Sequence, residues 1–130
     1  MITEDYCSFE IAKLLKEKGF DEPCYCMYRI ITKEKIEHLS NKVTNSDLNE
    51  IYANREFGTL PTLQMAMKWL RENKKVFISI GHCEYPIEHK VTWIPEITTF
   101  DSVFPDSAIE YDAYEQACEE AIRYSLENLI

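Results

Sequence analysis

Glycine is scarce in this chain. Only Gly19, Gly58 and Gly81 occur among 130 residues, and they lie far apart. That excludes the phosphate-cradling loops of P-loop and dinucleotide-binding proteins, which crowd several glycines into one turn. The spacings H-E-x-x-H, C-x-x-C and G-x-S-x-G are also missing, and with them most enzyme classes that announce themselves by motif. No apolar run approaches the roughly 18 residues that would suggest a membrane span. The first residues, MITEDYC, lack the basic and apolar segments of a secretion signal. The five cysteines, at 7, 24, 26, 83 and 118, are odd in number and not densely spaced. Reduced thiols in a cytosol are the simplest reading, so the protein is expected to be cytoplasmic.

Basic charge is short as well, and unevenly so. From residue 96 onward nine carboxylates (Glu96, Asp101, Asp106, Glu110, Asp112, Glu115, Glu119, Glu120 and Glu127) face Arg123 alone, within a chain of net charge −9. Binding a phosphate backbone needs the opposite balance, so no direct nucleic-acid partner and no membrane partner is expected.

What is present is the material of one globular domain, residues 1–130, with 45% apolar and 28% charged residues. The most complete helix pattern is Pro61 to Lys75. Leu63, Ala66, Met67 and Leu70 mark one face of a 3.6-residue period, and Met65 and Trp69 widen it into the expected centre of a core. A first helix is predicted over Ser8 to Lys18, with Ser8 as N-cap, Gly19 as the left-handed stop and Phe20 folding back on Leu15. A last helix is predicted from Asp112, with Glu115 three residues on as in a capping box.

Between these, Cys24 to Thr32 has strand composition, with both faces covered and Arg29 reaching an edge. Val76 to His82 and Lys90 to Ile97 read as an antiparallel pair. Pro95 is expected at a strand end or an exposed edge, where its missing donor does no harm. Residues 33–60 read equally as two short helical turns or as a strand through Ile51 to Phe57. The expected class is α+β, three main helices on a small, mostly antiparallel sheet, in the order α-β-(unassigned)-α-β-β-α.

Candidate chemistry is thin. His82, Cys83, Glu84 and His89, with Cys24 and Cys26, supply the imidazole and thiolate donors that zinc takes four at a time. Adjacent strand residues such as His82 and Cys83 point to opposite faces, however. Buried thiols and surface histidines are the ordinary state of such residues. A Cys83 nucleophile with His89 as base lacks the orienting third group that such a site requires. No catalytic residue and no cofactor is expected. Candidates for partner contact are Glu115, Glu119 and Glu120, as a docking face for a basic protein or a charge mimic of DNA, and the aromatics Tyr85 and Trp93.

Three blocks, SFEIAKLLKEKGFDEPC (8–24), PTLQMAMKWLRE (61–72) and YEQACEEAIRYSLENLI (114–130), cover 46 of the 130 residues. They resemble a group of small proteins from gut Bacteroidales genomes, their phages and other mobile elements, a group without an assigned activity. The resemblance implies an intracellular accessory protein and brings no catalytic residues with it. The expected function is a non-enzymatic protein-binding module that binds a protein partner or self-associates. The rivals are a small enzyme or zinc protein using His82, Cys83 and His89, and an acidic DNA mimic or inhibitor.

Overall fold

Helix and strand signals become four helices and two three-stranded antiparallel sheets in a computed structural model that describes residues 2–52, 56–105 and 108–130. The chain divides into two compact units, 1–66 and 67–130, and each unit holds one sheet. The class is α+β. The strands read from the sequence belong to two sheets.

In the first unit, α1 (Phe9–Glu17) starts as its sequence dictates, with the Ser8 hydroxyl accepting from the Ile11 N–H. It ends in a Schellman turn. Gly19 takes φ 96°, its N–H reaches the Lys16 carbonyl, and the Phe20 N–H reaches the Leu15 carbonyl. Strand β1 (Met27–Arg29) is shorter than its composition suggests and is central, in the order β2-β1-β3 with β2 (Lys35–Ile36) and β3 (Phe57–Thr59). Both its faces are covered, as expected. Cys26 and Tyr28 pack with Ala12 and Leu60, while Met27 packs with Leu48 and Phe57. Arg29 is exposed, its guanidinium 5.2 Å from the Phe57 ring centre.

Residues 33–60 resolve the earlier ambiguity by using parts of both readings. The first supposed helical turn is β2 and a bridge from Val43 to Cys24. The second is α2 (Asn45–Ile51), where Thr44 and Asp47 form a reciprocal capping box. Of the rival strand, Phe57 is in β3, and residues 53–55 lie outside the described residues.

The division between units falls within α3 (Leu63–Trp69), which starts two residues after Pro61. The Thr62 hydroxyl accepts from the Met65 N–H there. A π-helical turn, Leu70–Lys74, continues α3 and closes at Lys75 in the left-handed conformation. Leu63, Ala66, Met67, Trp69 and Leu70 are buried, as the apolar stripe requires.

In the second unit β4 (Phe77–Tyr85) and β5 (Lys90–Thr98) form a nine-pair hairpin, and β6 (Val103–Phe104) pairs with the end of β5. Helix α4 (Tyr114–Asn128) presents Ala117, Cys118, Ala121, Ile122, Ser125 and Leu126 as its buried side. Its N-cap is Ala113 and no side chain caps it. The predicted cap, Asp112, instead lies 3.4 Å from the Lys90 ammonium. Among the described residues no helix is long and apolar enough to cross a membrane.

Candidate functional site

The β4–β5 hairpin sorts its residues by simple alternation. The register is constant from Phe77↔Thr98 to Tyr85↔Lys90, so the ladder contains no bulge. Ile78, Ile80 and His82 share a face with their partners Ile97, Pro95 and Trp93. Helix α4 packs on this face, where the Trp93 and Tyr114 rings meet edge-on with centroids 5.3 Å apart. The opposite face carries Phe77, Ser79, Gly81, Cys83 and Tyr85 from β4.

Pro95 differs from its expected place. It is buried in the middle of β5, the central strand. The reason lies in which way the backbone faces. The Trp93 N–H and C=O exchange hydrogen bonds of 2.8 Å with Tyr111, on the side away from β4. Residues 95 and 97 therefore face that side too. Position 95 falls between the Tyr111 bridge and β6, so its missing N–H removes no ladder bond.

The same parity exposes β4. Ile78, Ile80, His82 and Glu84 sit opposite the β5 residues that face away, so their own N–H and C=O groups point out of the sheet. Among the described residues β4 is the outer strand of its sheet, and none of its residues is fully buried. It carries no lysine, no proline and no bulge, three of the usual protections of a free edge, and Glu84 is its one carboxylate. Sequence reading missed this feature, because a hairpin pattern does not say which strand is left outermost.

The candidate residues do not converge. His82 and Cys83 lie on opposite faces of β4, and the His82 Nε2 is 3.4 Å from Glu84. His89 sits in the hairpin turn with φ 50°, at least three residue steps, about 10 Å of strand, beyond His82. Cys24 and Cys26 belong to the first unit. Burial pushes the Cys24 thiol up to about 11, away from the thiolate a metal would need. Among the described residues no three His, Cys, Asp or Glu side chains are grouped to hold a metal ion.

The partner candidates are also divided. Trp93 is half-buried on the helix-covered face and Tyr85 lies on the other. Glu115 is exposed, whereas Glu119 and Glu120 are half-buried. Glu120 stands 3.9 Å from the Arg123 guanidinium.

Tyr85 has a partner within the unit. Its hydroxyl and that of Thr92 both donate to Glu110 Oε1, at 2.5 and 2.6 Å. These bonds, Thr92's first, hold the Glu110 carboxyl below its ordinary 4.5, and the bond to Glu110 pushes the Tyr85 phenol up. The fastening is therefore fully present above the ordinary carboxylate range and is lost as pH falls through the lowered value. An NMR titration should show the Thr92 and Tyr85 signals moving together with a midpoint below 4.5. Midpoints at or above that value would contradict the arrangement.

Two further hollows lie away from the Glu110 fastening. One, of about 240 Å3, lies between α4 and the far side of β5, walled by Pro95, Ile97, Phe104 and Tyr124 with Arg123 at its rim. The other, of about 440 Å3 in the first unit, is lined by Lys13, Lys16, Asp21 and Tyr28 among others. Its polar groups are partly committed. The Lys16 ammonium donates to the Phe57 carbonyl at 2.7 Å, and Asp21 accepts from the Ser46 N–H and hydroxyl. No protein-family model matches the chain, and neither a curated protein nor a solved structure does.

Proposed function

We propose that the chain is a non-enzymatic protein-binding module that takes up a partner strand along the free edge of β4. It would serve as an accessory protein of the mobile-element kind that its helical blocks resemble. One observation carries the reading. Nine residues of regular strand offer four N–H and four C=O groups outward, with neither lysine nor proline among them and Glu84 as the one carboxylate. A strand laid there gains a ladder of main-chain hydrogen bonds, and the side chains on both faces select which strand fits. The dispersal of His82, Cys83 and His89 removes the geometric support for the enzyme and zinc readings.

The test uses the same backbone logic that tolerates Pro95. The Ile80 N–H faces outward, so Ile80→Pro removes a docking donor and no bond of the β4–β5 ladder. Tagged wild-type chain, Ile80→Pro and a triple variant (Glu115→Lys, Glu119→Lys, Glu120→Lys) are compared for capture of partner from host extract, with circular dichroism confirming each fold. Capture is expected to fall about tenfold in Ile80→Pro, equivalent to roughly 1.4 kcal/mol, and to survive the charge reversal. Undiminished capture by Ile80→Pro overturns the edge reading. Loss in the triple variant alone assigns the contact to the acidic helix instead.

A further inference from the structure

The outward edge of β4 has a property beyond being free. The residues whose side chains share the face opposite α4 read Phe77, Ser79, Gly81, Cys83, Tyr85, which is aromatic, small, glycine, small, aromatic. That order is the same from either end. We propose that the strand β4 accepts is β4 of a second copy, paired antiparallel about a two-fold axis at Gly81. The inference rests on the reading of β4 as a docking edge and names its occupant.

The register follows from three requirements. First, only even-numbered residues carry outward N–H and C=O groups. Antiparallel pairing must therefore match even with even, and the register that overlaps the whole strand sets Ile78 against Glu84 of the second copy and Ile80 against its His82. Second, odd-numbered residues then meet in the non-hydrogen-bonded pairs, where Cα atoms come within about 4.5 Å and side chains crowd most. Gly81 meets Gly81 there, and a Cβ at Gly81 would have only the Ile94 carbonyl, at 3.7 Å, within reach in its own chain. Ser79 meets Cys83, and each end pairs Phe77 with Tyr85, the aromatic cross-strand pair that sheets favour. Third, this register alone gives every β4 residue a β4 partner. Sliding by two residues one way leaves Phe77 opposite Ile87, beyond the strand, and sliding the other way sets Phe77 against Cys83 and leaves Tyr85 opposite Lys75.

Charge decides the solution behaviour. Each copy carries a net −9, concentrated after residue 96, while β4 itself holds only His82 and Glu84. Two copies therefore repel at long range and attract only at the edge. Salt should strengthen the dimer, since screening removes the repulsion and leaves the ladder. Docking of a basic partner would show the opposite salt dependence.

The experiment uses the full chain. Sedimentation at increasing protein concentration, in low and high salt, reads the dimer fraction. Amide exchange by NMR reads its location. The amides of Ile78, Ile80, His82 and Glu84 should be slowed about tenfold or more at high concentration and released on dilution, while the odd-numbered amides, already bonded to β5, stay unchanged. In a dimer of mixed isotope labelling, a cross-peak between the Gly81 Hα protons of the two copies fixes the register. Ile80→Pro should be monomeric.

A dimer whose even-numbered amides stay unprotected, or that lacks the Gly81 cross-peak, overturns the inference. So does a monomer at about 0.5 mM, a concentration at which even sub-millimolar affinity would show. If the chain is monomeric yet Ile80→Pro still abolishes capture from extract, self-pairing fails and the docking edge stands. If capture is also undiminished, both fail.

Discussion

Gly58→Ala should destabilise the first unit by about 2–3 kcal/mol, the upper range for forcing extra volume into a packed core. Gly58 pairs directly across the sheet with Tyr28, whose ring lies over the glycine. A Cβ at 58 would overlap the phenol oxygen, Cζ and Cε1 of that ring. The Gly58 backbone is not in the left-handed region, so space alone is the obstacle. The ring cannot swing aside cheaply. Tyr28 is 1% exposed, packed with Ala12, Cys26 and Leu60, and meets Phe9 edge-on at 5.0 Å. Urea unfolding should show a lower midpoint with an unchanged slope. The cause is separable by a double-mutant cycle. In a Tyr28→Leu background the same Gly58→Ala change should cost far less, and a full cost there would refute the steric account. Both tryptophans, Trp69 and Trp93, lie in the second unit. Circular dichroism or amide NMR, rather than Trp fluorescence, must report on the first.

Asn45→Ala should be comparably damaging, by about 2–4 kcal/mol, through polar groups it leaves stranded. The Asn45 amide lies 5% exposed and spans two elements. Its Nδ2 donates to the Phe20 carbonyl at 2.7 Å, and its Oδ1 accepts from the Thr59 N–H at 2.9 Å. The residue thus ties the turn after α1 to β3 from the first position of α2. Alanine would leave one buried acceptor and one buried donor unpaired, each carrying its desolvation cost. Asn45→Asp keeps the acceptor and sets a carboxylate against the Phe20 carbonyl, so it should not rescue. A loss below about 0.5 kcal/mol for Asn45→Ala, the range of a neutral surface substitution, would show that water replaces the amide.

The helices were legible because their signals are local. Ser8, Gly19 and Phe20 specify both ends of α1 within a few residues, and the 3.6-residue stripe of Leu63 to Leu70 needs no partner to be seen. The strands of the hairpin were legible in kind, although β4 runs on past His82 to Tyr85. What a single sequence does not display is lateral order. Three-residue β1 and β3 depend on pairing across about thirty residues, and nothing in CYCMYRIIT says that the regular strand will be confined to Met27–Arg29. The same blindness hid the free edge and misplaced Pro95, since both depend on which neighbour each backbone group faces. The candidate cluster failed for a related reason. Closeness in sequence on a strand separates side chains by face, so His82 and Cys83 diverge because they are adjacent.

Pro95 also has a consequence for stoichiometry. On the far side of β5 the ladder is broken into a Tyr111 bridge and the two residues of β6, with a proline between them that can donate nothing. That side presents no continuous template, while β4 presents nine residues of one. Among the described residues, the sheet thus offers a continuous template in one direction only. A strand added at β4 uses that one template, so assembly by this route terminates after one step and yields a closed pair, not a filament.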